Sequence, residues 1–261
     1  APKLNPAIRI ALLAACFAGI FAANYRTSLI ALAPLAFGFF VFGIARGVGP
    51  GRRVVVSLIG LLAMAGGAVA ANMAMADRMS DLNTVASETD DLIRPPAEFT
   101  EAERKLLSGR LYVWNQYLDE YGHGSDKQLL LGFGPDAWIE RFGLYAHNTI
   151  VSYLYEFGLV GAALIVLVWL AMIWRTFRVR DWALRGQLIC AHVAFVLLNM
   201  ATMPFWQIEG LIFYGLLCGY TVYLSAAPAS RKQTLVQSFL RPARAPSQVT
   251  APAPANIRTQ S

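Results

Sequence analysis

The stretch that decides the fold is residues 149–174, which read TIVSYLYEFGLVGAALIVLVWLAMIW. Glu156 is the one charged side chain in it. About 20 apolar residues are enough for an α-helix to cross the ~30 Å hydrocarbon core of a bilayer. The stretch does not show the alternation of polar and apolar residues that is typical of a membrane β-strand. It therefore predicts a transmembrane helix.

Five other apolar segments of similar length occur in the chain, at about 7–24, 28–45, 54–76, 186–203 and 207–224. Hydrophobic residues make up 56% of the 261 residues and charged residues 15%, whereas a soluble domain carries roughly 25% charged residues. The sequence therefore predicts an all-α protein, a polytopic transmembrane bundle of about six helices.

The predicted helices divide the chain into four parts. Three spans occupy residues 1–76, a large external loop occupies 77–147, and three further spans occupy 148–225. The remainder, 226–261, is rich in proline, alanine, serine and arginine. Because such a composition buries little apolar surface, we expect a disordered cytoplasmic tail.

Charge placement predicts the orientation. The 77–147 loop holds 13 of the 16 acidic residues but 7 of the 22 basic ones. The other basic residues gather mostly in the turns 46–53 and 175–185 and near the two termini, which alternate onto one side of a six-helix bundle. The positive-inside rule makes that side cytoplasmic and the loop external. The basic excess thus reports membrane orientation, and we expect no nucleic-acid partner.

Within the loop, one helix is predicted over about 101–121. Thr100 and Glu103 have the spacing of a capping box. Apolar residues then recur at intervals of three and four, as Leu107, Leu111, Trp114, Leu118 and Tyr121. This spacing is that of one face of an amphipathic α-helix, too short and too charged to span.

Three side chains are candidates for chemistry at the external face. His147 lies at the start of a predicted span, and imidazole has a pKa suited to proton transfer near neutrality. Arg26 is the one basic residue of the short external turns, and Arg110 lies on the loop helix, one turn before Trp114. The alternatives are a lipid-anchoring role for Arg26, a solvated position for Arg110, and a capping position for His147 beside Asn148.

Two guanidinium groups can hold a pyrophosphate through paired hydrogen bonds without a divalent metal. The membrane part contains no Asp-x-Asp pair, and the acidic residues outside the 77–147 loop are Glu156, Asp181 and Glu209. We therefore expect no metal site and no cofactor.

The order of these residues resembles that of the O-antigen ligase and O-antigen polymerase family. Four motifs carry the resemblance: Tyr-Arg-Thr-Ser around Arg26, Ser-Gly-Arg-Leu-Tyr-Val-Trp around Arg110, Gly-Phe-Gly-Pro from Gly132, and His147-Asn148 followed by Glu156-x-Gly158 and Gly161. Members of this family are integral membrane glycosyltransferases. Since they usually carry several helices upstream of such a region, we expect this chain to be the C-terminal part of a longer protein.

The resemblance implies a role for each matched residue. Arg26 and Arg110 are expected to engage the lipid pyrophosphate, and His147 to act as general base. Trp114 and Asn148 complete the expected substrate-binding set. A supporting role is expected for three further residues of the matched motifs, namely Gly132, Gly134 and Glu156.

The resemblance also implies an activity, a metal-independent and inverting glycosyl transfer at the external (periplasmic) face of the bacterial inner membrane. The donor would be a glycan on undecaprenyl pyrophosphate. The acceptor would be lipid A core, a growing polysaccharide or a protein, which leaves ligase and polymerase types open. The alternative function is a transporter or flippase module for a polyprenyl-linked or other anionic lipid. A third alternative, a structural membrane subunit, leaves the Gly-rich turn and His147 unexplained.

Overall fold

The computed structural model describes residues 26–44, 48–74 and 93–226, together with a few isolated positions before Arg26. The predicted span at 7–24, the 77–92 part of the loop and the tail beyond residue 226 lie outside the described residues. Within them, every regular element is a helix and no strand is present. The all-α fold class is therefore confirmed.

In chain order the α-helices are α1 (Arg26–Phe37), α2 (Pro50–Ala74), α3 (Arg110–Gly122), α4 (Asp126–Leu131), α5 (Trp138–Arg141), α6 (Thr149–Thr176), α7 (Trp182–Asn199) and α8 (Ile208–Ala226). Shorter turns are a π-helix at Gly38–Ile44 and 3-10 helices at Pro96–Glu98, Glu103–Gly109 and Pro204–Trp206. In the described part of the chain, α6, α7 and α8 are long and apolar enough to cross a membrane. The helix α1 with its π-helical continuation, and α2, coincide with the predicted second and third spans.

The first described helix packs antiparallel to α7. Gly38 lies against Cys190, and five residues later Gly43 lies against the side chain of Gln187. Continuing this register back along α1 places the backbone of Arg26 level with the C-terminal end of α7. The side chain of Arg26 lies outside the described part.

Two turns rich in arginine meet at one end of the bundle, here called the basic end. The rings of Phe42 and Trp182 lie 5.9 Å apart, and the guanidinium group of Arg53 lies 5.9 Å from the centre of the same indole. The turns 46–53 and 175–185 were predicted on one side of the membrane, and these contacts agree with that arrangement. Which side of the membrane it is stays a prediction.

The opposite end, here called the loop end, is where the 93–147 region joins α6. The hydroxyl of Thr149 donates to the side-chain oxygen of Asn199 at 2.7 Å, which sets the start of α6 beside the end of α7. The rings of Tyr153 and Trp206 pack edge to face at 5.2 Å in the same layer. Both residues of the hydrogen bond are fully buried. Such a bond substitutes for the water that a bilayer lacks.

The loop helix differs from its prediction at its start. The capping box of Thr100 and Glu103 is formed, with the Thr100 N–H donating to the Glu103 carboxylate at 2.7 Å. It opens a 3-10 segment that breaks at Leu106–Ser108, however, and the α-helix begins at Arg110. The break arises because Leu107 and Ser108 adopt left-handed backbone conformations, which end the helical hydrogen-bond ladder.

The buried face of α3 also differs from the predicted stripe. The buried residues are Leu111, Val113, Asn115 and Tyr117. Two distant segments cover α3. From the segment before α3, the Arg94 N–H donates to the Asn115 side chain at 3.0 Å. From α6, the ring of Tyr155 packs 5.1 Å from that of Tyr117. Since both segments are distant from α3 in sequence, the spacing of apolar residues within α3 could not predict which face is buried.

Candidate functional site

Two of the predicted site residues share one cavity at the loop end. Arg110 and His147 line a cleft of about 240 Å³. The other lining residues are Ser108, Gly109, Val113 and Leu144. Arg110, at the start of α3, thus lies in one cavity with His147, two residues before α6, although 37 positions separate them in the chain. A guanidinium group and a titratable imidazole therefore line the same cavity.

The backbone around the cavity is held in unusual conformations. Ser108, Gly109 and His147 have φ angles of 62°, 80° and 53°. For residues other than glycine this left-handed region costs of order 1–3 kcal/mol, and such strain concentrates at functional sites. At the start of α3, left-handed Gly109 is followed by right-handed Arg110, a pair whose amides form a concave surface suited to anions. The Ser-Gly pair before Arg110 was the signal for this turn, and the sequence interpretation overlooked it.

Hydrogen bonds fix the chain on both sides of His147. On the N-terminal side, the indole N–H of Trp114 donates to the Ala146 carbonyl oxygen at 2.7 Å. On the C-terminal side, the Asn148 side-chain oxygen accepts from the amides of Ile150 and Val151, at 2.9 and 3.3 Å, and caps α6. Both Trp114 and Asn148 were predicted to bind substrate. In the structure, the Trp114 indole and the Asn148 side chain instead hydrogen-bond to backbone groups on either side of His147.

A second residue of α3 supports the same segment. The hydroxyl of Tyr117 donates to the Leu144 carbonyl oxygen at 2.9 Å, and its ring stacks on Phe142 at 4.2 Å. Burial raises the pKa of Tyr117 above its ordinary value, so the phenol stays protonated and remains a donor. Tyr117 and Trp114 lie one turn apart, and Arg110 lies one turn before Trp114. The register of α3 therefore presents Arg110 to the cavity.

The environment of His147 keeps its imidazole neutral. Burial, and secondly the positive charge of Arg110, hold the pKa of His147 below its ordinary value of 6.5. Both causes disfavour the imidazolium form. The ring of Tyr145 lies 4.0 Å from that of His147, centre to centre, and shields one of its faces. At neutral pH the imidazole therefore has a lone pair that can accept a proton.

The predicted supporting residues form a second cluster, at an interruption of α6. Gly158 leaves the helical conformation, with φ 68° and ψ −166°. The carbonyl groups before the interruption are satisfied from the loop: the Phe133 N–H donates to the Tyr155 oxygen at 2.9 Å, and the Gly134 N–H donates to the Glu156 oxygen at 3.0 Å. The backbone of the Gly-Phe-Gly turn is thus hydrogen-bonded to the interrupted part of α6, in the manner of two paired β-strands.

The side chain of Glu156 joins the same pairing. Its carboxylate accepts the backbone N–H of Asp136 at 2.8 Å and the hydroxyl of Ser152. Glu156 is 1% exposed, so these donors offset the loss of water around the carboxyl group. The predicted supporting role of Glu156 is consistent with these contacts.

Two glycines permit the close approach. A Cβ on Gly132 would lie 2.2 Å from the Glu156 carbonyl oxygen, and a Cβ on Gly158 would lie 2.3 Å from the Leu130 carbonyl oxygen. Both glycines also have positive φ angles, 79° and 68°. Glycine is the residue type that tolerates both a positive φ and so close a backbone contact, because it has no Cβ. Gly134, the third glycine here, has a φ of 108° and open space around it.

The predicted site residues therefore fall into three groups. Arg110 and His147 line the cavity, with Trp114 and Asn148 holding the adjacent backbone. The glycine turn (132–134) and Glu156 form a second cluster at the interruption of α6, and this cluster is here called the joint. The third group is Arg26 alone, which the register of α1 places near the loop end.

Comparison with known proteins decides the family. Residues 11–166 match the model of a family described as O-antigen ligase, which is more than half of the chain. The chain belongs to the O-antigen ligase family. The resemblance inferred from four short motifs is thereby confirmed, and the matched region of this family member includes Arg26, Arg110 and His147. No curated protein and no solved structure matches the chain.

Family membership sets the general activity of this O-antigen ligase family member. It is a membrane enzyme of the ligase or glycosyltransferase type, and its substrates are lipid-linked glycans and their acceptors in general terms. The three candidate spans agree with a membrane protein.

Proposed function

We propose that this protein transfers a glycan from an undecaprenyl-pyrophosphate donor to an acceptor hydroxyl at the external face of the bacterial inner membrane. The observation that carries the proposal is the shared cavity of Arg110 and His147. Transfer requires a group that binds the leaving pyrophosphate and a group that takes the acceptor proton. A cation and a neutral imidazole in one cleft supply both.

In the proposed step, His147 accepts the proton of the acceptor hydroxyl. The acceptor oxygen then forms a bond to the anomeric carbon as the bond from that carbon to the pyrophosphate oxygen breaks. The bonding electrons leave with the polyprenyl pyrophosphate. Because attack comes from the side opposite the leaving group, the anomeric configuration is inverted. Positioned bases of this kind contribute about 10²–10⁴-fold in rate.

Arg110 stabilises the pyrophosphate as its charge grows. A guanidinium presents two parallel donors to two phosphate oxygens, in a geometry that an ammonium group cannot match. The N-terminus of α3, which carries Arg110, adds the positive end of its dipole beside the cavity. We assign Arg26 as a second pyrophosphate ligand, and the antiparallel packing of its helix on α7 supports this assignment. Two guanidinium groups would serve in place of a divalent metal.

The proposal is tested in a reconstituted assay with a lipid-linked donor. His147→Ala should lower the turnover number about 10²–10⁴-fold while donor binding, measured separately, stays close to that of the parent. The matched control is His123→Ala, since His123 is exposed and bonds to the Asp119 carbonyl oxygen away from the cavity. Near-parental turnover of His147→Ala, or a loss explained entirely by donor binding, would remove the base assignment.

A further inference from the structure

The short helix α4 has a gradient of polarity that the proposed chemistry does not use. It reads Asp126-Lys127-Gln128-Leu129-Leu130-Leu131, polar at its start and apolar at its end. The apolar end leads directly into Gly132, whose backbone lies against Glu156 in α6. The leucines therefore lie beside α6, and the polar residues lie at the other end of α4.

Aromatic residues mark how deep this contact lies. Tyrosine and tryptophan prefer the two membrane interfaces. Tyr153, packed on Trp206, marks one interface, and Trp174, which is 70% exposed, marks the other. They are 21 residues apart on α6, about 31 Å at 1.5 Å per residue, which matches the ~30 Å hydrocarbon core. Gly158 is five residues beyond Tyr153, so it lies roughly 7 Å inside the core.

Non-helical backbone at such a depth requires that its polar groups be satisfied by protein. The backbone N–H groups of the turn meet this requirement. The Gly132 N–H donates to the Gln128 oxygen at 2.7 Å, and those of Phe133 and Gly134 donate to carbonyl groups of the broken helix α6. The Asp136 N–H donates to the Glu156 carboxylate. The turn and the interruption of α6 thus satisfy each other, as they must where water is excluded.

The leucines of α4 are exposed beside exposed apolar residues of α6. Leu130 and Leu131 are 53% and 56% exposed, and Leu159 and Val160, just after the interruption, are 54% and 46% exposed. The Leu130 carbonyl group lies against Gly158, so the two pairs are adjacent. Their exposed side chains continue one apolar surface from the span onto the loop.

We infer that residues 129–134 form a re-entrant segment, which enters the leaflet next to the loop end and whose Leu130 and Leu131 side chains contact lipid acyl chains. The segment anchors the external loop at a fixed depth beside α6. Transfer of the two leucine side chains from water into hydrocarbon favours this anchoring. This anchoring does not depend on the proposed transfer chemistry.

The experiment places one fluorophore at position 131 and measures its depth. Leu131→Cys is made in the full chain with Cys16, Cys190 and Cys218 replaced by alanine. It is labelled with nitrobenzoxadiazole and reconstituted in phosphatidylcholine vesicles. The matched control is Lys127→Cys, one turn earlier on the same helix and exposed. The two quenchers are iodide in the water and phosphatidylcholine with a nitroxide on its acyl chain.

The label at position 131 should be quenched at least about threefold more by the nitroxide lipid than the label at 127, and should be protected from iodide. A second variant, Leu130→Cys, should behave as position 131 does, which guards against a local disturbance by one label. Iodide quenching at 130 and 131 equal to that at 127 would overturn the inference. Because no step of the measurement uses glycan transfer, its result and that of the transfer assay can be distinguished.

Discussion

Trp114 holds Ala146 through one hydrogen bond, 2.7 Å from the indole nitrogen to the carbonyl oxygen. Ala146 is 0% exposed and is the residue before His147, whose φ is +53°. A left-handed histidine persists only when its surroundings over-determine it. The indole N–H of Trp114 therefore helps to position the imidazole of His147 through the backbone.

Replacing that donor should affect turnover more than binding. Trp114→Phe keeps an aromatic ring but leaves the buried Ala146 oxygen without the indole, at a cost of about 1–3 kcal/mol in stability. We expect the turnover number to fall about 10-fold or more with a smaller change in KM for the donor. The matched control is Trp138→Phe, because in the described structure the Trp138 indole nitrogen has no acceptor. Equal losses in both variants would show that ring packing alone matters.

The pH dependence of activity should report the neutral imidazole. The pKa of His147 is held below 6.5 by burial and then by Arg110, so activity should persist below pH 6.5 and fall as pH drops through that lowered pKa. Arg110→Gln removes the second cause, and the pKa of His147 should rise toward 6.5. The pH dependence of His147 modification by diethyl pyrocarbonate, read by mass spectrometry, measures it in both proteins. An unchanged midpoint would mean that Arg110 does not act on the imidazole.

Lysine should not replace either proposed pyrophosphate ligand. Arg110→Lys and Arg26→Lys keep the charge but lose the paired donors, so transfer should drop by about 10-fold or more in each. The control is Arg104→Lys, since the Arg104 side chain pairs with Glu101 at 3.1 Å and does not line the cavity. Transfer is measured with the lipid-linked donor, with and without a chelator. Full activity of Arg110→Lys, or dependence on added magnesium, would contradict the pyrophosphate assignment.

The joint at the interruption of α6 should be intolerant of a single methyl group. Gly132→Ala and Gly158→Ala each force a contact near 2.2–2.3 Å at a positive φ, and should lower the free energy of unfolding by about 2–5 kcal/mol. Gly66→Ala is the control, because nothing lies within 4 Å of that position in α2; alanine there should be neutral or stabilising by up to about 1 kcal/mol. Thermal unfolding in detergent measures all three.

Cysteine labelling should settle the orientation of the bundle. In a protein without its native cysteines, Ser125→Cys should react with an impermeant maleimide from the external side, and Ser230→Cys should be protected. The basis is the positive-inside rule, which assigns the basic end to the cytoplasm. Labelling of position 230 from outside, with position 125 protected, would reverse the topology and move the cavity to the other face.

The sequence by itself determined the helical class, the position of the three spans α6, α7 and α8, and two residues of the cavity, Arg110 and His147. Apolar length is a local property, so residues 149–174 were sufficient to predict α6, which ends at Thr176. The capping box at Thr100 also formed as predicted, because its hydrogen bonds join residues three apart. The family followed from short motifs, since each keeps its residues in order along the chain.

Only the tertiary structure decided how those residues are used. It placed the start of α3 at Arg110, gave the Trp114 donor to Ala146, and joined the glycine turn to an interruption at Gly158. The last two of these features are contacts between segments more than 20 residues apart, and the first depends on the left-handed backbone of Leu107 and Ser108. Periodicity reports which face of a helix is apolar. It does not report which distant backbone groups that face must satisfy when the chain folds in a membrane.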